Sequence, residues 1–168
     1  LAVGMQGVGI AEAAFQKALA HARDREQMGP IVDHADVRRM LAAMKAEVFA
    51  ARAIGLACAV ALDMARATGE DDWQARAAFL TPIAKAYGTD TGVSVAEAGI
   101  QVHGGMGFVE ETGAAQFYRD VRVTTIYEGT NGIQAIDLVG RKMADGGEAA
   151  FLLLQEVEDA AEAAPPRL

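Results

Sequence analysis

A chain of 168 residues is long enough for one buried core but short for a complete two-substrate enzyme, so a single domain is expected. Apolar residues make up 52% of it and aromatics only 6%, the bulk coming from alanine, a composition that favours close-packed helices over strands. Its formal charge of −8, with no Lys/Arg-rich run to offset it, excludes nucleic-acid phosphates and anionic membrane surfaces as partners.

The chain opens on LAVGMQGVGI, with no initiator Met and a helical pattern already under way, so it is expected to begin inside a larger protein. Leu1, Val8, Phe15 and Leu19, with alanines between them, predict a first helix to about Gln27, stopped by Gly29 and Pro30. Asp33 is placed as the cap of a second helix carrying Val37, Leu41, Met44, Val48, Ala51, Gly55, Cys58 and Leu62 at helical spacing as far as Gly69. The small residues of that stripe let a partner helix come close. Trp73, Ala77, Leu80, Ala84, Tyr87, Thr91, Val95, Ala98 and Val102 repeat the spacing in a third helix. Pro82 either starts a new helix or kinks one long helix, and the kinked single helix is the expectation.

The glycine-dense stretch HGGMGFVEETG is expected to be loop, and FYRDVRVTTIYEG a short helical turn followed by an extended crossing. Ile133, Ile136, Leu138 and Val139 predict a last bundle helix over about 130–143, and the tail a short amphipathic helix between a Gly hinge and a Pro stop. With no alternating strand pattern, the expected fold is all-α, an antiparallel four-helix bundle with a short C-terminal extension helix. Any chemistry should sit in the loops at one end. No apolar run approaches the roughly 18 residues of a membrane span, and no signal-peptide pattern appears. Cys58, the lone cysteine, is read as a small core residue in a reducing, cytoplasmic compartment.

Three stretches carry candidate chemistry. In QVHGGMGF the glycines either let backbone N–H groups approach an anion such as a pyrophosphate or simply end a helix and turn the chain. Arg23 and Arg25 close the first helix, where they either suit its negative end as solvated cations or clamp a phosphate. His21, His34 and His103 are too scattered for a metal-ligand set, so no metal is expected. In TTIYEGTNGIQ, Glu128 precedes a helix start, either as a dipole-stabilising end residue or as a base aimed into a cleft. Ile126 and Tyr127 are expected to wall off water around it, Gly129 to leave the backbone open, and Thr130 with Asn131 to cap the following helix. Such burial raises a carboxylate's proton affinity, as a neutral-pH base requires. Glu110 and Glu111 read as ordinary solvated acids.

Taken together, RxQxG after the first helix, QVHGGMGF after the third and IYEGTNGIQ before the last resemble the C-terminal domain of the acyl-CoA dehydrogenases, over about residues 1–143. The wording VDHADVRRML, LTPIAKAYGTD and HGGMGFVEETGAAQFYRD is most similar to the large branch that includes 3-methylmercaptopropionyl-CoA dehydrogenases. The resemblance implies that residues 1–145 form the bundle and 146–168 an extension, the N-terminal helical and middle β domains lying outside this chain. It implies FAD as cofactor and Glu128 as the base that removes the α-proton of an acyl-CoA thioester, the β-hydride going to flavin N5, with Tyr127 and Gly129 beside the substrate. It implies that Arg25, Gln27 and Met28, then Gln101, Val102, His103, Gly104 and Gly105, contact the FAD of a neighbouring subunit, while Thr130, Asn131 and Gly132 lie against the subunit's own. Met28 stands where many relatives have Phe, a softer apolar contact. A homodimer or tetramer and an electron-transfer flavoprotein as electron acceptor follow from the same resemblance. Two other readings stay open on the residues alone: a noncatalytic helical assembly module, and an acyl-CoA oxidase-like relative.

Overall fold

The computed structural model of the chain describes residues 1–144 and 146–165. Among them no strand forms. Three long helices, α1 (Ala2–Asp24), α2 (Ala35–Thr68) and α3 (Asp71–His103), are followed by one turn, α4 (Gly105–Phe108), then α5 (Ala114–Arg122), α6 (Asn131–Asp137) and α7 (Glu148–Glu162). Only Gly69 and Glu70 separate α2 from α3, so the two run antiparallel; Gly69, at φ 74°, closes α2 by donating its N–H to the Ala65 carbonyl. Helix α3 is the spine of the bundle and contacts α1, α2, α5 and α6. The fold is the expected antiparallel four-helix bundle with an extension helix.

The stripes read from the sequence are the buried ones. Leu41, Met44, Val48, Ala51 and Cys58 of α2 and Ala77, Leu80, Ala84, Thr91, Val95 and Val102 of α3 are buried; Val37, Leu62, Trp73 and Ala98 are half-buried, and Tyr87, at 38%, is exposed. Phe15, Leu41, Met44, Val48, Val95, Val102 and Val121 form the main core; Cys58, Leu80 and Ala84 form a smaller one that Leu153 of α7 reaches. Where α1 crosses α3 the backbones themselves touch. A Cβ on Gly7 would stand 2.5 Å from the Gly88 carbonyl oxygen, and one on Gly88 would stand 2.6 Å from that of Gly4. No side chain fits at this glycine crossing.

Several local expectations are corrected. The second helix is not capped by Asp33, which belongs to a 3-10 turn, Ile31–Asp33; His34 precedes α2 instead. The expectation of a single helix through Pro82 holds for α3, where the Thr81 hydroxyl donates to the Ala77 carbonyl at 2.7 Å beside the missing N–H. The glycine stretch is not all loop: Gly107 lets α4 fold back, since a Cβ there would stand 2.2 Å from the Ile100 carbonyl oxygen. The β-branched run is helical rather than extended, because Val121 and Thr124 are fully buried and Thr124 and Thr125 turn their hydroxyls onto the carbonyls of Val121 and Arg122. Burial outweighed β-propensity. Helix α6 begins at its Thr130 cap, which accepts the Ile133 N–H at 3.3 Å, and passes into a π-type turn, Leu138–Lys142. Its apolar face, Ile133, Ile136 and Val139, is more than half exposed, so it is not core within this chain.

By length and composition α2 is apolar enough to cross a membrane, contrary to the sequence expectation. Alanine raises its mean hydropathy without a continuous run of large side chains; Leu41, Met44 and Val48 enter the bundle core, while Phe49, Leu56 and Val60 are more than half exposed. The tail helix α7 docks on α3: the Arg76 guanidinium forks onto Glu156, with Nη2 2.7 Å from Oε2, and lies 5.8 Å over the Trp73 ring. Pro165 follows it; Pro166 and the domain boundary at Asp145 lie outside the described residues.

Candidate functional site

The first site forms between the loop after α1 and the end of α3. That loop is tied at its base, the Ile31 N–H donating to the Arg25 carbonyl at 3.0 Å and His34 Nε2 to the Gln27 carbonyl at 2.9 Å. Its tip, Met28 and Gly29, is left-handed, and the Met28 side chain stands 94% exposed. Opposite, Gly104 takes φ 60° and ψ −141°, a conformation that glycine adopts at little cost, and ends α3. Between them lies a cleft of about 590 Å³ lined by Arg25, Gln27, Met28, Gln101, Val102, His103, Gly104 and Gly105, with His21 and His34. The structure therefore brings together both stretches that the sequence placed apart.

No carboxylate lines this cleft, among the described residues, and Arg25 does. Open space surrounds the Cβ positions of Gly104 and Gly105, so their backbone can be approached closely. A cation, side-chain amides, bare backbone and the exposed thioethers of Met28 and Met106 suit an anionic group with an apolar ring system. That donor set fits a flavin dinucleotide.

His21 stacks on His103, with ring centroids 4.2 Å apart, and His103 Nδ1 donates to the Gly99 carbonyl at 2.7 Å. Burial, then the charges of His103 and Arg25, push the His21 pKa below its ordinary 6.5. The folded state thus binds this proton more weakly than the unfolded chain. Stability is complete above pH 6.5 and is lost as the pH falls from there through the lowered folded value. Thermal melts of His21→Gln across this range should decline less steeply with acid than those of the parent; parallel curves would remove His21 as the source.

The second site is the turn before α6. Glu128, at φ 55°, and Gly129, at φ 83°, are both left-handed, and for a glutamate that conformation is a strained one. Gln134 holds the turn from inside α6, its Nε2 donating to the Glu128 carbonyl at 3.2 Å. A Cβ on Gly129 would stand 2.9 Å from that same nitrogen. Thr130, Asn131 and Gly132 line a cleft of about 480 Å³ with Arg122 and Asp90, and it shares no lining residue with the first.

Among the described residues, nothing supplies the expected shelter around Glu128. Glu128 is exposed, Ile126 and Tyr127 are 51% and 37% exposed, and Glu128 lines neither of the two clefts. A turn at the foot of a short surface helix has protein on one side only. The Tyr127 hydroxyl is turned along α1, where it bonds Gln6.

Asn131 lines this second cleft and is also bonded into the bundle. Its Oδ1 accepts from Lys85 Nζ at 2.8 Å, and its Nδ2 donates to Asp90 Oδ1 at 2.7 Å and to Thr89 Oγ1 at 3.0 Å, which fastens α6 to α3. Lys85 is 4% exposed, and burial holds its pKa below the ordinary lysine value, the Asp90 charge offsetting part of that. Sequence reasoning missed Gln134 and Lys85. The available signal was a lysine adjoining the Ala84 stripe position on an alanine-rich helix.

Comparison with known proteins places these features in a family. The model for the acyl-CoA dehydrogenase C-terminal domain matches residues 1–144. The chain is 50% identical to the 3-methylmercaptopropionyl-CoA dehydrogenase of Ruegeria pomeroyi, over 89% of its own length and 28% of the relative's. It superposes on butyryl-CoA dehydrogenase from Megasphaera elsdenii with a TM-score of 0.72 at 32% identity, covering 82% of this chain and 34% of that one. A structure described as the electron transferring flavoprotein of Acidaminococcus fermentans matches with a TM-score of 0.71 at 29% identity, over 82% of this chain and 34% of that one. The chain thus spans about a third or less of the length of these relatives.

Proposed function

The chain belongs to the acyl-CoA dehydrogenase family, and from that membership we propose that it is the catalytic C-terminal domain of an FAD-dependent acyl-CoA dehydrogenase. Glu128 removes the α-proton of the thioester. As charge develops on the thioester oxygen, the Glu128 N–H, which takes no internal acceptor among the described residues, bonds to it. Gly129 keeps the approach clear, and Tyr127 stands beside it. Bound FAD supplies the acceptor for the β-hydride, which makes the product a trans-2-enoyl-CoA. Arrival of the thioester excludes water and supplies the shelter that Ile126 and Tyr127 do not.

Arg25, Gln27 and Met28, with Gln101, Val102, His103, Gly104 and Gly105, would hold the FAD of a neighbouring subunit. Thr130 and Gly132 would meet the subunit's own, with Asn131 acting through its tie to α3. Two clefts with separate linings support this division and hence a homodimer or tetramer. The bundle, residues 1–145, would work with N-terminal helical and middle β domains, 146–168 serving as an extension. An electron-transfer flavoprotein would take the electrons, in the cytoplasm.

The observation that carries the proposal is Glu128 itself: an exposed acid held in a strained backbone conformation, which a merely structural turn would give to glycine. Purified full-length protein should show a flavin absorption band that bleaches when acyl-CoA is added, starting the panel with 3-methylmercaptopropionyl-CoA. A colourless protein, or a band that no acyl-CoA bleaches, would overturn it; oxygen consumption during turnover would instead indicate the oxidase-like relative.

A further inference from the structure

Lys85 is an uneconomical choice for a packing position. Its ammonium is buried and its direct partner is a neutral amide, Asn131 Oδ1 at 2.8 Å, whereas an apolar side chain of similar volume would pack α3 without desolvating a charge. The far side of that amide donates to Asp90 Oδ1 at 2.7 Å. A cation on one face and a carboxylate on the other leave the Asn131 amide a single favourable orientation. Thr89 locks the same amide from below: its hydroxyl donates to the Lys85 carbonyl at 2.9 Å and takes the Asn131 Nδ2 donor at 3.0 Å.

What this clamp holds is the start of α6. Asn131 is its first residue, and the two left-handed residues, Glu128 and Gly129, lie immediately before its Thr130 cap. A strained turn persists only when its surroundings over-determine it. Gln134 pins the turn from within α6, and α3 fixes α6 against the bundle through Lys85, Thr89 and Asp90.

We propose that Lys85, acting through the Asn131 amide, is a positioning residue that holds the Glu128 turn in register with the bundle. This rests on the reading of Glu128 as the base. A shift of about 1 Å in a reacting group can cost up to 100-fold in rate, so a charge placed to prevent that shift has a kinetic purpose beyond packing.

The test uses the full-length flavoprotein. Lys85→Met keeps the length and removes the ammonium. It is expected to retain FAD and to bind a 2-enoyl-CoA as the parent does, yet to bleach at least about tenfold more slowly with acyl-CoA. Hydrogen exchange should quicken in residues 124–134 and stay unchanged in α1 and α2. Adding Asn131→Ala to Lys85→Met should slow bleaching no further, since both act through one amide. Unchanged exchange over 124–134, or a rise spread evenly over the bundle, overturns the proposal whatever the kinetics. Normal bleaching by Lys85→Met beside a dead Glu128→Gln overturns it alone, whereas normal bleaching by Glu128→Gln overturns the base reading on which it rests. Should Lys85→Met not fold, Asp90→Ala at an exposed position removes the other end of the clamp; the same local rise in exchange supports the proposal and its absence rejects it.

Discussion

Glu128→Gln in the full-length enzyme should keep its flavin band and its affinity for acyl-CoA, yet bleach slower by on the order of 10²–10⁴-fold, the contribution of a positioned general base. The amide matches the carboxylate in size and keeps the main-chain N–H in place, so binding and oxyanion stabilisation should survive while proton removal fails. Because Glu128 is exposed, the substitution should leave stability within about 0.5 kcal/mol. Glu128→Gly separates strain from chemistry. Relieved of a left-handed glutamate at φ 55°, the turn should gain about 1 kcal/mol while catalysis stays lost. A Gln variant that bleaches at the parental rate would reject Glu128 as the base; a Gly variant that melts earlier would reject the strain.

Gly7→Ala and Gly9→Ala should move stability in opposite directions although the residues are two apart on one helix. An added methyl at Gly7 would stand 2.5 Å from the Gly88 oxygen and 2.8 Å from the Thr89 Cα, both main-chain atoms that cannot rotate away. Helices α1 and α3 would have to separate, at a cost of about 1–3 kcal/mol. Nothing lies within 4 Å of the same position on Gly9, so only helix propensity acts there, a gain of about 0.5–1 kcal/mol. Melting curves of the two variants against the parent decide this, and equal shifts would mean that the crossing is looser than its backbone contacts indicate. Thr89, pressed by the Gly7 variant, also bonds Asn131, so the same substitution should slow flavin bleaching.

The bundle was legible because large and small apolar residues repeat at helical spacing over long stretches, as from Leu41 to Cys58, and burial follows that spacing closely. Residues 121–126 were misread because β-branched side chains favour strands in isolation, a preference that the buried Val121 and Thr124 override. The grouping of Arg25 and Gln27 with the 101–105 stretch was legible only through resemblance, since nothing local links two helix ends so far apart in the chain. The shelter expected for Glu128 failed for a different reason. Apolar neighbours in sequence, Ile126 and Tyr127, wall off water only when a second surface faces them, and this chain contributes one surface. Lys85 was marked only by its place beside the Ala84 stripe position, and an ammonium there gains meaning only once Asn131 is brought against it.

Helix α3 serves both clefts at once, gripping Asn131 through Thr89 and ending at His103 and Gly104. At about 1.5 Å per residue these points lie roughly 21 Å apart along one rigid rod. That rod is a ruler whose graduations are angular as well as linear. One residue inserted between Asp90 and Gln101 would turn the glycine end by about 100° relative to the Glu128 end and advance it by about 1.5 Å. Side chains along this stretch can be exchanged, but its residue count is a fixed phase relation between two places on the molecule.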